Sequence, residues 1–109
     1  MIFYFRFYLP HGLTIDSNNN VWLTDVALHQ VFKFPPGGGN KPLLTLGVAF
    51  VPGVDDDHFC KPTAVAVMAN GDFFVSDGYC NSRILKYDKN GNLLMQWGRN
   101  TFQSPGKIF

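Results

Sequence analysis

The sequence predicts an all-β chain that forms about two four-stranded blades of a β-propeller. Three observations carry this prediction. The first is a repeat: Pro10-His11-Gly12-Leu13-Thr14-Ile15-Asp16, then Asn20-Val21-Trp22-Leu23-Thr24-Asp25, returns as Pro62-Thr63-Ala64-Val65-Ala66-Val67-Met68, then Asp72-Phe73-Phe74-Val75-Ser76-Asp77. Pro10 and Asp25 each find their counterpart 52 residues further on, and a period near 50 with short strands in each unit belongs to blade arrays. The second is that each unit divides into four short extended runs. The third is that the connectors between runs hold the residues that tight turns require.

Taken in order, residues 1–9 open with Met1-Ile2-Phe3-Tyr4-Phe5-Arg6-Phe7-Tyr8, which is apolar but short, interrupted by Arg6 and without a small-residue cleavage site. They read as the end of a preceding strand and not as a signal peptide. The first blade, 10–47, has runs at 12–16, 21–25, 30–34 and 43–46. Leu13 and Ile15 alternate with other residues as a strand with one buried face does, whereas 21–23 is apolar throughout, as expected of a strand buried on both faces. Ser17-Asn18-Asn19-Asn20 supplies residues tolerant of φ > 0. Pro35-Pro36-Gly37-Gly38-Gly39 ends the third run, because proline has no N–H to continue a ladder. Residues 48–61 make a long inter-blade connector, a length that in compact domains is usually functional or disordered. The second blade, 62–98, has runs at 64–68, 73–77, 83–87 and 93–97, joined by Asn70-Gly71-Asp72 and Lys89-Asn90-Gly91-Asn92. The fourth run of each blade stops at a glycine, Gly47 and Gly98. Residues 99–109 read as the lead-in to another blade. Closed propellers need roughly four to eight blades, so two units are expected to be a fragment whose flat faces lack neighbours.

Bulk properties exclude some partners. The net charge is +1 with no basic run, which gives no support for a nucleic-acid partner. No apolar stretch approaches the ~18 residues of a membrane span. Hydrophobic content of 46% and aromatic content of 16% suffice for one modest core, and Trp22, Phe73, Phe74 and Trp97 read as part of it.

Differences between the two units point to chemistry. His11 stands where the second blade has Thr63, at the start of the innermost strand, where side chains of different blades converge on a channel. A neutral imidazole there is a good zinc ligand, although a polar strand-end residue is the plainer reading of the histidine alone. Tyr79 follows Asp77-Gly78 at a turn; a free phenol, with a pKa of about 10, is a poor base unless metal or cationic charge stands near it, and a packed turn tyrosine is the plainer alternative. Cys60 and Cys80 are the only cysteines. They are either a disulfide or two buried thiols, and without CxxC spacing neither reads as a metal ligand or nucleophile. Asp25 and Asp77 hold equivalent positions, which argues for a structural role in binding the N–H groups of the following turn, and Arg83 belongs to the same repeat grammar. His29 and His58 read as packing or surface residues. Asp55-Asp56-Asp57 reads as a solvated loop, since calcium-loop spacing is missing.

Val75-Ser76-Asp77 followed by Asn81-Ser82-Arg83-Ile84-Leu85-Lys86-Tyr87-Asp88 resembles the NHL type of repeat. More narrowly, residues 7–13, 24–33 and 76–84, together with His58-Phe59-Cys60, resemble peptidyl-α-hydroxyglycine α-amidating lyase, over almost the whole of 7–97. The resemblance implies a six-bladed propeller that cleaves a peptidyl-α-hydroxyglycine to an amidated peptide and glyoxylate. It further implies that His11 is one of three zinc histidines from different blades, that the main-chain carbonyl of Leu13 meets a structural calcium ion, and that Tyr79 is the catalytic tyrosine. Cys60 and Cys80 become a disulfide flanking that tyrosine, and the setting becomes the secretory lumen or extracellular space. A peptidylglycine monooxygenase, fused or separate, is an implied partner. The 109 residues alone are expected to be inactive, because the other zinc histidines and the family's substrate-binding arginines are not among them. The alternative is a non-catalytic NHL propeller that binds proteins or carbohydrates, which accounts for the blades but not for His11, Tyr79 and the cysteine pair together.

Overall fold

A computed structural model of the chain describes residues 2–3 and 7–98. The expected lead-in at 99–109 and parts of the opening segment lie outside the described residues. The strands are β1 (Ile2–Phe3), β2 (Pro10–Ile15), β3 (Val21–Asp25), β4 (Gln30–Phe34), β5 (Gly38–Gly39), β6 (Leu44–Leu46), β7 (Ala64–Val67), β8 (Phe73–Asp77), β9 (Arg83–Tyr87) and β10 (Leu93–Trp97). Two antiparallel four-stranded sheets result, ordered β2-β3-β4-β6 and β7-β8-β9-β10, the blade architecture that the repeat predicts. Beyond the predicted runs, Gly38 and Gly39 pair in parallel with Ile2 and Phe3.

The turns form for the reason their residues suggest. Asn19, Gly71 and Gly91 take positive φ (66°, 95° and 89°). Asp16 Oδ1 accepts from the amides of Asn18 and Asn20 at 2.9 and 3.0 Å, and Asp88 Oδ1 accepts from Asn90 and Asn92 at 2.9 and 3.0 Å. Such side-chain mimicry of a turn hydrogen bond closes the hairpin before any packing is present.

Packing follows the repeat. Trp22 of β3 faces the second sheet, where its ring lies 4.5 Å from that of Phe73. It joins Val31, Phe59, Val65, Phe73, Val75, Leu85 and Tyr87 in one buried cluster. The other face of β3 sends Val21 and Leu23 into a second cluster with Leu28, Phe32 and Phe34, closed by Phe7. Every residue of β3 is buried, as its apolar run predicts. β8 differs: Phe73, Val75 and Asp77 are buried, but Phe74 and Ser76 are half-buried. Phe74, the counterpart of Trp22, faces away from the first sheet and stacks on the half-buried Trp97 at 6.3 Å. Leu13 and Ile15 are 58% and 52% exposed, so their alternation marks a face that no described residue covers.

The connector 48–61 is ordered. Phe59 is buried in the inter-sheet cluster, which removes apolar area worth about 1.5–3 kcal/mol for a large side chain. Arg83 latches the same connector from β9. Its Nε donates to Asp77 Oδ2 at 2.9 Å, Nη1 to Val54 O at 2.6 Å and Gln96 Oε1 at 3.2 Å, and Nη2 to Asp55 O at 2.9 Å and His58 O at 2.6 Å. All five guanidinium donors are thereby used, in keeping with a structural role for Arg83.

Candidate active site

The site is built where the inner strands of the two blades run side by side. Gly12 permits the approach: a Cβ there would stand 2.4 Å from Thr63 O, well inside contact distance. Gly12 N donates to Thr24 Oγ1 at 2.8 Å, Thr24 Oγ1 donates to Thr63 O at 3.2 Å, and Thr14 Oγ1 donates to Val65 O at 2.9 Å. Between Pro10 and Leu13 the pairing of β2 with β3 shifts register. Bulges of this kind re-aim side chains beside functional sites, and here the shift spans His11.

His11 Nδ1 lies 3.0 Å from Thr63 O. A carbonyl oxygen only accepts, so Nδ1 carries the proton and the neutral ring keeps its lone pair on Nε2. Tyr79 Oη is 3.2 Å from that Nε2, with the rings edge to face at 5.8 Å. Two residues 68 apart in sequence, one from each blade, therefore meet. Tyr79 is 62% exposed, so its hydroxyl is open to a solute.

The acidic residues hold this geometry from beneath. Asp25, fully buried, accepts from the amides of Ala27 and Leu28 at 2.9 Å, as the turn argument predicts, and also from Tyr8 at 2.8 Å and Leu9 at 3.1 Å. It pins the segment that enters β2 just before His11. Asp77, also fully buried, accepts from Cys60 N at 2.8 Å, Asn81 Nδ2 at 2.7 Å and Arg83 Nε at 2.9 Å. Its partners are the upstream connector and two side chains, where the sequence reading expects the amides of the following turn. Cys60 and Cys80 form a disulfide with Cα atoms 5.5 Å apart, which ties the connector to the residue after Tyr79.

A pocket of about 330 Å³ opens beside the pair, lined by Leu9, His11, Val26, Ala27, His29, Lys61 and Tyr79. His29, read from sequence as a packing or surface residue, belongs to this wall. Its Nδ1 accepts from Lys61 N at 3.0 Å, and burial, helped by the charge of Lys61, pushes its pKa down from the ordinary histidine value. Ala27 is the first-blade counterpart of Tyr79 when both are counted from the repeat aspartate. The sequence alone carried no signal for Lys61, which precedes Pro62 in a connector without a repeat partner of like chemistry. His58 lies elsewhere, its Nδ1 paired with Asp55 Oδ1 at 2.6 Å, and Asp56 accepts from Gln96 Nε2 at 3.0 Å. Among the described residues no three His, Cys, Asp or Glu side chains gather closely enough to hold a metal ion, so His11 offers one imidazole donor and not a full set.

Comparison with known proteins accords with the blade repeat. The NHL repeat pattern matches residues 7–34 and 59–87. The chain is 69% identical over 97 residues to peptidyl-alpha-hydroxyglycine alpha-amidating lyase 1 of Drosophila melanogaster, covering 88% of the chain and 18% of that protein. It is 61% identical over 88 residues to lyase 2 of the same organism, covering 81% of the chain and 21% of that protein. It is 62% identical over 106 residues to peptidyl-glycine alpha-amidating monooxygenase A of Xenopus laevis, covering 94% of the chain and 11% of that protein. The chain thus spans about a fifth or less of these relatives. It belongs to the NHL-repeat family, and along most of its length it is similar to the peptidyl-alpha-hydroxyglycine alpha-amidating lyases.

Proposed function

We propose that this chain is part of a lyase that cleaves peptidyl-α-hydroxyglycine to an amidated peptide and glyoxylate, with His11 as one zinc ligand and Tyr79 as the catalytic base. The observation that carries the proposal is the meeting of Tyr79 Oη and His11 Nε2 at 3.2 Å across two blades, in a chain whose relatives are named for that reaction. His11 fits a metal: its Nδ1–H is occupied by a carbonyl, the arrangement that fixes the tautomer of metal-bound histidines, and its Nε2 lone pair, which accepts from Tyr79 Oη in this structure, would turn to the metal when the phenol gives up that contact. The other donors of a three-histidine set would come from beyond the described residues. Zinc bound there would supply Lewis-acid polarisation of the substrate oxygen.

The residues of this chain then act on protons and position. Tyr79, exposed beside His11, would act as the phenolate, the form that metal or cationic charge beside it favours, and take the proton of the substrate α-hydroxyl. The oxygen electrons form the carbonyl of glyoxylate, the C–N bond breaks, and the amide nitrogen leaves with the bond pair and takes up the proton that Tyr79 accepted, which restores the phenolate. The Cys60–Cys80 disulfide and Asp77 keep the turn of Tyr79 from moving, so the phenol is positioned before substrate binds. A calcium ion at the main-chain carbonyl of Leu13 suits a hard oxygen donor. The disulfide supports an oxidising, secretory or extracellular setting. Relatives named as monooxygenases support association with a peptidylglycine-hydroxylating activity. Residues 1–109 by themselves, with one imidazole donor, are proposed to be inactive.

The test is turnover of a hydroxyglycine peptide by the full-length protein, followed as amidated product and glyoxylate. Tyr79→Phe keeps the ring and is expected to lower kcat by about 10²–10⁴, while His11→Ala is expected to lower bound zinc. Wild-type turnover in either variant removes that residue from the mechanism. A wild-type protein that turns over no such peptide leaves a binding propeller.

A further inference from the structure

The pocket beside His11 and Tyr79 carries features that the proposed reaction does not use. Besides that pair, its lining consists of three apolar side chains, Leu9, Val26 and Ala27, together with Lys61 and His29. Lys61 sits there with φ at +59°, a left-handed backbone that non-glycine residues adopt at a cost of order 1 kcal/mol and that concentrates at functional sites. Two contacts hold it: its amide donates to His29 Nδ1 at 3.0 Å, and the preceding Cys60 is bonded to Cys80. Because His29 Nδ1 accepts, that ring is neutral with its proton on Nε2. Lys61 is then the cation of the pocket, and neither ion pair among the described residues, His58–Asp55 or Arg83–Asp77, involves it.

We propose that this pocket receives the side chain of the residue that precedes the hydroxyglycine, and that Lys61 makes it favour an acidic side chain there over a basic one. The inference rests on the lyase reading. The nitrogen of the broken bond carries that residue through one carbonyl, and consecutive Cα atoms are about 3.8 Å apart. Its side chain therefore emerges next to the reacting bond, where His11 and Tyr79 form the shared wall. The three apolar side chains suit the methylenes of a side chain and do not suit the bare carboxylate of the glyoxylate half. A volume of about 330 Å³ admits one side chain of any natural size. A lysine that lines a pocket beside apolar side chains can lay its methylenes on them while its ammonium stays in water, and so select for charge.

The experiment measures kcat/KM of the full-length protein on four peptides that differ only in the residue before hydroxyglycine: Glu, Lys, Leu and Gln. Wild type is expected to prefer Glu over Lys. Lys61→Glu is expected to lower the Glu-to-Lys ratio by about tenfold, and Lys61→Gln by less, with both shifts shrinking in ~1 M salt. The ratio of the uncharged pair, Leu to Gln, is expected to stay constant. An unchanged Glu-to-Lys ratio, or equal slowing of all four peptides as terminal-carboxylate binding would give, overturns the proposal. Binding of the amidated products by calorimetry separates the two readings. A Glu-over-Lys preference that Lys61→Glu abolishes, in a protein with no turnover, sinks the lyase reading and keeps the pocket. Equal binding of both products in wild type sinks the pocket with turnover intact.

Discussion

Replacing Arg83 with methionine tests what holds the 48–61 connector against the second blade. Methionine keeps an unbranched stem but removes five donors. The side chains of Arg83 and Asp77 are 3% and 0% exposed, so the variant leaves a buried carboxylate with only Cys60 N and Asn81 Nδ2 as partners. Breaking a buried pair by removing one member costs about 3–5 kcal/mol. The freed carbonyls belong to the exposed Val54 and Asp55 and the half-buried His58, in hydrogen bonds that are themselves part-buried, where water can reach in to replace the guanidinium, so each adds about 1 kcal/mol. A loss of ~4 kcal/mol is a large part of the ~5–15 kcal/mol that stabilises a domain. Urea unfolding measures the loss, and amide exchange locates it. The amides of Gly53, bonded to Phe59 O, and Cys60, bonded to Asp77 Oδ1, are expected to exchange faster while those of β3 and β4 hold. Adding Asp77→Asn to Arg83→Met should recover part of the loss, since the uncompensated charge is then gone. A destabilisation below ~1 kcal/mol with unchanged exchange at 53–60 would refute the latch.

Three further outcomes are expected. Gly12→Ala places a methyl 2.4 Å from Thr63 O; forcing the inner strands apart should cost about 1–3 kcal/mol and raise KM or lower kcat, which unfolding and turnover assays check together. Reduction of Cys60–Cys80, or Cys60→Ala with Cys80→Ala, releases a cross-link spanning 20 residues and should lower stability by roughly 3 kcal/mol, read as a lower thermal midpoint in dithiothreitol. His29 has a folded-state pKa below its ordinary 6.5, so the unfolded chain binds more protons. Its contribution to stability is therefore present above 6.5 and is lost as pH falls through the lowered folded value. His29→Gln should flatten stability across that window, and a slope identical to wild type would contradict the assignment.

The strands and turns were legible because they are local. A period-2 pattern bounded by Asn, Gly and Pro needs only the chain's own sterics to extend and to reverse, and 21–25, 30–34, 73–77, 83–87 and 93–97 are strands over the residues expected. The equivalence of Asp25 and Asp77 was legible as structure, but not the full set of partners. Each carboxylate reaches back to the amide two residues before its blade's opening proline, Tyr8 or Cys60, a contact that periodicity does not encode. The core role expected of Phe74 and Trp97 was met only in part, because hydropathy is blind to which face of a blade has a neighbour.

Residue order by itself determined that this chain makes two blades, where six of the eight blade strands begin (β2 starts two residues earlier than expected and β6 one later), and which positions depart from the repeat: His11 against Thr63, and Tyr79 against Ala27. Only the three-dimensional arrangement decided that those departures share one place. β2 must lie against β7, close enough for Thr63 O to orient the imidazole, before a phenol 68 residues away can reach Nε2. The same holds for Lys61 of the connector and His29 of the first blade, which meet through a main-chain amide. Side-chain type and spacing report what a residue can do, whereas which residue it faces depends on inter-strand contacts that no local pattern encodes.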